Sequence, residues 1–248
     1  MSEQPQHEIS FYLSQPNSCP YLADRNEQKI FTYLSGHKAQ MHMQLLSENG
    51  FRRSQNIIYR PSCKNCDECK SIRVVAKNYK PTKSHKRILQ KNKIIKPQQI
   101  EAKATKEHYD LFKKYLDNRH NEGGMADMDY ADFKDMIEDT AINTSIIEYR
   151  LEINGEQKKQ LVGVALIDIL FDGISMVYSF FDPELNNFSL GTFMVIDNIY
   201  RSLARNNEYL YLGYWIKNSQ KMSYKANFKP LEFYIEGSGW VTLNAKGE

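Results

Sequence analysis

QLVGVALIDILFDGISMVYSFF, residues Gln160 to Phe181, is the stretch on which the fold turns. Leu161 to Phe171 and Ile174 to Phe181 are rich in β-branched and aromatic residues, and Asp172 with Gly173 form a favoured two-residue turn, so the stretch reads as an antiparallel hairpin. Asp182 and Pro183 follow, then a helical stretch from about Leu190 to Arg205, then an aromatic strand from Tyr209 to Ile216. Strand, loop, helix and strand in that order build a parallel pair with the helix as crossover.

Upstream, Met41, Leu45 and Leu46 stand at helical spacing between Lys38 and Glu48, and Asn49 with Gly50 suit the end of that helix. Phe51 to Tyr59 and Ile72 to Ala76 read as two strands flanking the turn-rich segment Pro61 to Lys70. Thr105 is placed to cap a helix through Arg119, with Tyr109, Phe112 and Leu116 on one stripe, Glu107 near its start, and Gly123 and Gly124 stopping it. The polar segment around Pro97 to Lys106 reads as a link. The expected class is therefore α+β: an N-terminal cysteine-bearing α/β domain over residues 1–100 and a C-terminal domain over 101–248 with a mixed sheet, resembling the acetyltransferase-like (GNAT) fold. The strand, loop, helix and strand order occurs in many α/β proteins, so alone it favours that fold only weakly.

With 248 residues and 41% hydrophobic content the chain can bury a core. A net charge of +3 does not by itself announce a nucleic-acid binder, so the distribution of charge has to decide. No stretch approaches the roughly 18 to 20 apolar residues that span a bilayer, and Met1 to Ile9 is too polar for a secretory core. A cytoplasmic protein with no membrane partner is expected, in which the four cysteines stay reduced and metal binding or redox chemistry becomes the question.

Cys63, Cys66 and Cys69 follow one another at two-residue spacing, with Cys19 the remaining candidate for a fourth ligand. Four thiolates suit zinc or an iron-sulfur cluster equally; the plainer alternative is a set of buried free thiols. Basic residues gather between Lys64 and Lys96: Arg73, Lys77, Lys80, Lys83, His85, Lys86, Arg87, Lys91 and Lys93, with Tyr79 among them. Such a run can meet a phosphate backbone or an acidic substrate, though charge runs are more often solvated helix faces. Ser189 to Thr192 open the long helix, where free N–H groups can hold a phosphate or an acyl carbonyl or merely be capped.

Taken in order, Cys19-Pro20-Tyr21-Leu22, Gly50-Phe51-Arg52-Arg53-Ser54, Tyr59-Arg60-Pro61 with Cys63, Cys66 and Cys69, Arg119-His120, Tyr178-Ser179-Phe180-Phe181, Ser189-Leu190-Gly191-Thr192, Tyr209 to Tyr214, and Met222-Ser223-Tyr224-Lys225 resemble the arginyl-tRNA-protein transferase family. The short chain is similar to its bacterial branch, the aspartate/glutamate leucyltransferases. The resemblance runs over about residues 8 to 240; Thr82, Lys83 and His85 depart from the Ser, Arg and Gln of many relatives, and Phe180 to Asn187 carries its own loop.

The resemblance implies transfer of leucine from leucyl-tRNA, the co-substrate, to acceptor proteins beginning with Asp or Glu, feeding N-degron degradation, with no cofactor required for the transfer. The donor is an activated ester and the attacker an α-amine with a reference pKa of about 7.7 to 8.0, so positioning and oxyanion support suffice without an enzyme nucleophile. On this reading Tyr178, Gly191 and Tyr214 position the terminal adenosine and ester, and Lys225 lies close to phosphate. Arg73 and Arg87 are candidates for the acceptor carboxylate, and Arg119 and His120 for substrate binding. An arginine donor, an acyl-CoA-dependent N-acetyltransferase and a non-catalytic zinc-containing RNA-binding module are the alternatives.

Overall fold

The computed structural model describes residues 9–119, 125–152, 159–217, 219 and 222–242. Among these the chain forms β1 (Tyr12–Leu13), β2 (Asn17–Ser18), β3 (Asn26–Glu27), β4 (Lys29–Tyr33), α1 (Ala39–Glu48), β5 (Arg52–Ser54), β6 (Ile57–Pro61) and β7 (Lys70–Val75). Then come α2 (Lys83–Lys91), β8 (Ile95–Glu101), α3 (Lys106–Arg119), α4 (Tyr130–Glu138), β9 (Thr144–Leu151) and β10 (Gln160–Ile169). The last elements are β11 (Gly173–Phe181), α5 (Leu190–Ala204), β12 (Tyr209–Trp215), β13 (Leu231–Ile235) and β14 (Gly239–Thr242). This is a mixed α+β fold.

Its frame is an eight-stranded sheet in the order β14-β13-β7-β12-β11-β10-β9-β8. Every neighbouring pair is antiparallel except β11 and β12, which α5 connects in parallel as the strand, loop, helix and strand order requires. Along β10, Val164 and Leu166 join the apolar cluster of α3 and α4, while Ala165 and Ile167 join the cluster of α5. Helices cover both faces, which is why β10 reads as an almost unbroken apolar run.

The structure departs from the sequence reading in four places. The hairpin turn is centred on Phe171 and Asp172, since Ile169 pairs with Ile174 and the Leu170 N–H bonds the Gly173 carbonyl at 2.9 Å. Gly173 is instead the first residue of β11, where a Cβ would stand 2.5 Å from the Tyr209 carbonyl oxygen, so its bareness permits the close approach of β12. Phe51 to Tyr59 is not one strand but the β5–β6 hairpin, turning at Gln55 with φ 52°. Pro97 to Glu101 lie in β8 rather than in a link; a proline is tolerated because β8 is the sheet's edge. Finally α4, absent from the sequence reading, starts at a capping box in which Asp129 and Asp132 each bind the other's backbone N–H. The expected boundary after residue 100 falls inside β8, between Ile100 and Glu101, and strands from both sides of it share the large sheet.

The N-terminal four-stranded sheet, in the order β1-β4-β6-β5, encloses its own core with α1, and Leu170 and Tyr211 of the large sheet reach into it. Beside that core Arg53 of β5 meets Asp168 of β10 through two bonds of 2.7 Å, with both side chains buried. Thr144 donates a further bond of 2.9 Å to the same carboxylate, and the Gln55 carbonyl accepts from Arg53 at 2.6 Å. Removing one member of a buried pair strands the other's charge at a cost of about 3 to 5 kcal/mol. Asp168→Ala should therefore lower the unfolding free energy by about that much, read from a urea melt; a change under about 1 kcal/mol would show the pair to be dispensable.

Candidate functional site

The parallel strands β11 and β12 pair only at Gly173 with Tyr209, Ile174 with Leu210 and Ser175 with Tyr211. Beyond these positions they diverge. Each strand carries an irregularity there: Val177 has no opposite on β10, and Leu212 has none on β7. Carbonyls released from a ladder still need donors. Arg52 of β5 supplies them to both strands, bonding the Leu212 carbonyl at 3.2 Å and the Val177 carbonyl. Lys225, in the short 3-10 helix Ser223–Asn227, donates from Nζ to the Leu212 carbonyl at 2.8 Å and to that of Tyr214 at 2.7 Å. Gly213 between these carbonyls has φ 73°, and a Cβ there would lie 1.3 Å from Arg52 Nη1.

Aromatic side chains and one cation gather along the β11 side of the cleft. The Phe181 ring lies 5.1 Å from Tyr115 of α3 and 5.2 Å below the Arg119 guanidinium. A Cβ on Gly191, in the first turn of α5, would be 3.2 Å from the Phe181 ring. Burial raises the Tyr178 phenol above its ordinary range, and the neighbouring Tyr115 adds to the rise. Burial likewise raises Tyr224, which Tyr115 pushes further and Arg52 opposes. Burial and then the Arg52 charge pull the Lys225 ammonium down to about 7. Tyr178, Gly191 and Lys225, grouped with Tyr214 in the sequence reading, lie in one neighbourhood with Arg52, Tyr115, Phe181 and Tyr224. Sequence reasoning gave these four no role, although Arg52, Phe181 and Tyr224 stand inside the motifs that carry the family resemblance.

Tyr214 faces a second site. Its hydroxyl bonds the Tyr59 carbonyl at 2.9 Å, and its ring helps line a pocket shared by Cys19, Cys63, Cys66 and Cys69. All four expected cysteines therefore converge. Cys66 Sγ accepts from Arg25 at 3.1 Å, and Cys63 Sγ from the Gln28 N–H at 3.4 Å. Burial pushes the Cys69 thiol up to about 12, with Cys63, Cys19 and Cys66 raising it further. Among the described residues no group of three or more histidine, cysteine, aspartate or glutamate side chains is arranged to hold a metal ion.

The basic run divides in two. Arg73 is spent internally: it bonds Glu232 at 2.8 Å and the Tyr211 hydroxyl at 3.1 Å, and stacks 3.5 Å from the Tyr209 ring and 4.3 Å from that of Trp240. Its charge is already met by the Glu232 carboxylate. His85 is buried against Tyr79, whose hydroxyl is 2.7 Å from Nδ1, and burial lowers its pKa. Lys77 pairs with Glu208. By contrast Lys80, Lys83, Lys86, Arg87, Lys91 and Lys93 are exposed, along and beside α2. Lys91 lies 5.4 Å over the Phe188 ring, just before α5 begins, and the buried Asn92 holds the Phe188 carbonyl at 2.8 Å. His120 lies outside the described residues.

Family models described as arginine-tRNA-protein transferase, N terminus, and arginine-tRNA-protein transferase, C terminus, match residues 17–87 and 107–235. The chain is 46% identical to an aspartate/glutamate leucyltransferase of Nitrobacter hamburgensis, covering 100% of this chain and 97% of that protein. It is 46% identical to one of Afipia carboxidovorans, covering 100% and 98%, and 45% identical to one of Agrobacterium fabrum, covering 100% of both. Among solved structures, that of L-PGS from Bacillus licheniformis aligns with a TM-score of 0.42 and 10% identity over 75% of this chain and 52% of that one, too loose a likeness to carry an argument.

Left-handed backbone costs a non-glycine residue about 1 to 2 kcal/mol, and at position 213 a methyl group also collides with Arg52. Gly213→Ala should therefore destabilise by more than about 2 kcal/mol in a denaturant melt. A loss within that figure would mean that the guanidinium moves aside freely.

Proposed function

Because this chain belongs to the arginine-tRNA-protein transferase family, we propose that it works as an aspartate/glutamate leucyltransferase, moving leucine from leucyl-tRNA to the N-terminal Asp or Glu of acceptor proteins. The observation that carries this is the match of both family models in order, together with identity near 45% to leucyltransferases over the whole chain. The reaction is an aminolysis. A neutral α-amine attacks the ester carbonyl, a C–N bond forms, and the C–O bond to the tRNA ribose breaks as a proton passes to the departing oxygen. Such a step needs alignment and support of developing charge rather than a protein nucleophile.

The leucyl ester sits in the cleft between β11 and β12, with Tyr178 and Gly191 on one side and Lys225 on the other, where Tyr214 contributes the carbonyl that holds Lys225 while its side chain faces the cysteine pocket. This placement is supported by the divergence of the two strands, since ligands of such sheets bind where the carboxyl ends of parallel strands part. The same divergence, with α5 as crossover, supports an acetyltransferase-like (GNAT) arrangement of residues 101–248. The exposed lysines along and beside α2 meet the tRNA phosphates, supported by their shared exposure and by Lys91 over Phe188 at the approach to α5. Arg87 on the same helix, and Arg119 over Phe181, are the cations for an acceptor carboxylate.

The four thiols of the Tyr214 pocket are proposed to take zinc or an iron-sulfur cluster. Their donor chemistry fits a soft cation, whose charge would offset the burial, and after it the neighbouring thiols, that raise Cys69. Binding would draw the sulfurs together. Transfer itself needs no cofactor on this reading. No described helix is long and apolar enough to cross a membrane. A cytoplasmic place and a role in N-degron degradation follow from the reaction.

The deciding assay is transfer of radiolabelled leucine or arginine from charged tRNA to peptides beginning with Asp, Glu, Lys or Ala. Leucine on Asp and Glu alone is the expected result; arginine in its place would reassign the donor, and no transfer would reject the reading. Arg87→Ala should raise the KM for the acidic peptide about tenfold, the worth of about 1.4 kcal/mol, and leave leucyl-tRNA binding unchanged. Equal loss of both would assign Arg87 to the RNA. Metal analysis of anaerobically purified protein should find stoichiometric zinc or iron that Cys63→Ser removes, and a metal-free active protein would reject the centre.

A further inference from the structure

We propose that Arg52 and Lys225 together form the site that takes the negative charge developing on the ester carbonyl oxygen during leucine transfer; the proposal rests on the leucyltransferase reading.

Three observations carry it. The first is placement: both cations stand where β11 and β12 part, and they share one acceptor, the Leu212 carbonyl, at 3.2 Å from Arg52 and 2.8 Å from Lys225. The second is the lack of a counter-charge. Every other half-buried or buried arginine of the two sheets has a carboxylate partner: Arg53 has Asp168, Arg60 has Glu236, Arg73 has Glu232 and Arg150 has Glu107 and Glu148. Among the described residues neither Arg52 nor Lys225 has one. Two cations held together without an anion are unfavourable unless a negative charge arrives. The third is fixation. Arg52 is held on both strands, by the carbonyls of Val177 and Leu212, and Lys225 on two carbonyls of β12, while Gly213 leaves room for the guanidinium. Donors fixed beforehand need no reorganisation when charge appears.

The valences allow it. A guanidinium has five N–H donors and an ammonium three. With two of each held by backbone carbonyls, donors remain on both groups for an oxyanion. The lowered Lys225 pKa agrees, because an arriving negative charge would favour its protonated form. In the step itself the amine nitrogen adds to the carbonyl carbon and the carbonyl oxygen becomes the oxyanion beside Arg52 and Lys225. Its electrons then re-form the C=O bond as the ribose oxygen leaves with the proton from the amine. No other reactant is consumed.

The test compares full-length Arg52→Lys, Lys225→Met and Lys225→Arg with the unaltered chain, each first shown to be folded by its thermal melt. Rates are measured with labelled leucyl-tRNA and a peptide beginning with Asp, and leucyl-tRNA affinity by filter retention. Loss of one preorganised donor to an oxyanion lowers kcat by about 100-fold or more, so Arg52→Lys and Lys225→Met should show that loss with leucyl-tRNA affinity within about threefold of the original. Lys225→Arg, which keeps the charge, should recover much of it. A folded Arg52→Lys with kcat within about threefold of the original would overturn the proposal, as would a parallel fall in kcat and tRNA affinity. If Arg52→Lys melts below the assay temperature, the two Lys225 variants decide alone. An unaltered chain that transfers no leucine overturns the functional reading and this inference together, whereas an active chain with active variants overturns this inference alone.

Discussion

A buried charge has to find its opposite, and the Arg53–Asp168 pair shows how far that requirement reaches in this protein. It clamps β5 of the small sheet against β10 of the large one through two bonds of 2.7 Å. Successive side chains of a strand leave on opposite sides, so a clamp on Arg53 also aims Arg52, its neighbour, the other way. The guanidinium of Arg52 then spans the parting of β11 and β12. The cleft is thus furnished by a residue from a different sheet, more than a hundred positions away in the chain.

The parting of the two parallel strands creates a backbone problem and a chemical opportunity at once. Where the ladder stops, the carbonyls of Val177, Leu212 and Tyr214 would be left without donors; two cations supply them. The same cations bring positive charge to the place where an ester carbonyl would lie. Arg73 shows the contrasting outcome on the neighbouring strand β7. Stacked between Tyr209 and Trp240 and bonded to Glu232 and Tyr211, it already has a carboxylate partner and serves to fasten β13 and β7 to β12.

The near-neutral total charge conceals a division of labour in the segment from Arg73 to Lys93. Arg73 and His85 are drawn into the interior with aromatic neighbours, whereas the lysines of α2 stay in solvent beside the approach to α5. Tyr214 connects the β11–β12 cleft to the cysteine pocket, since its carbonyl accepts from Lys225 while its side chain lines the thiol site. A change of charge at the sulfurs would therefore be felt one residue from the cleft.

Local pattern was enough for the elements with a strong period or a strong cap. The α1 helix, the helix capped by Thr105, the β10 and β11 strands and the α5 crossover were all legible, and the ordered motifs placed the chain in its family. The two-residue spacing of Cys63, Cys66 and Cys69 puts those three on one loop, whereas the place of Cys19 beside them in the same pocket is a tertiary matter. Sequence could not say which of two identical residue types faces a partner. Arg52, Arg53 and Arg73 look alike in the chain; tertiary contacts alone bury one against Asp168, stack one between aromatic rings and hold one in a cleft. The turn at Phe171 and the edge position of β8 were decided in the same way. Strand pairing is long-range, and propensity records only what a residue does with its near neighbours.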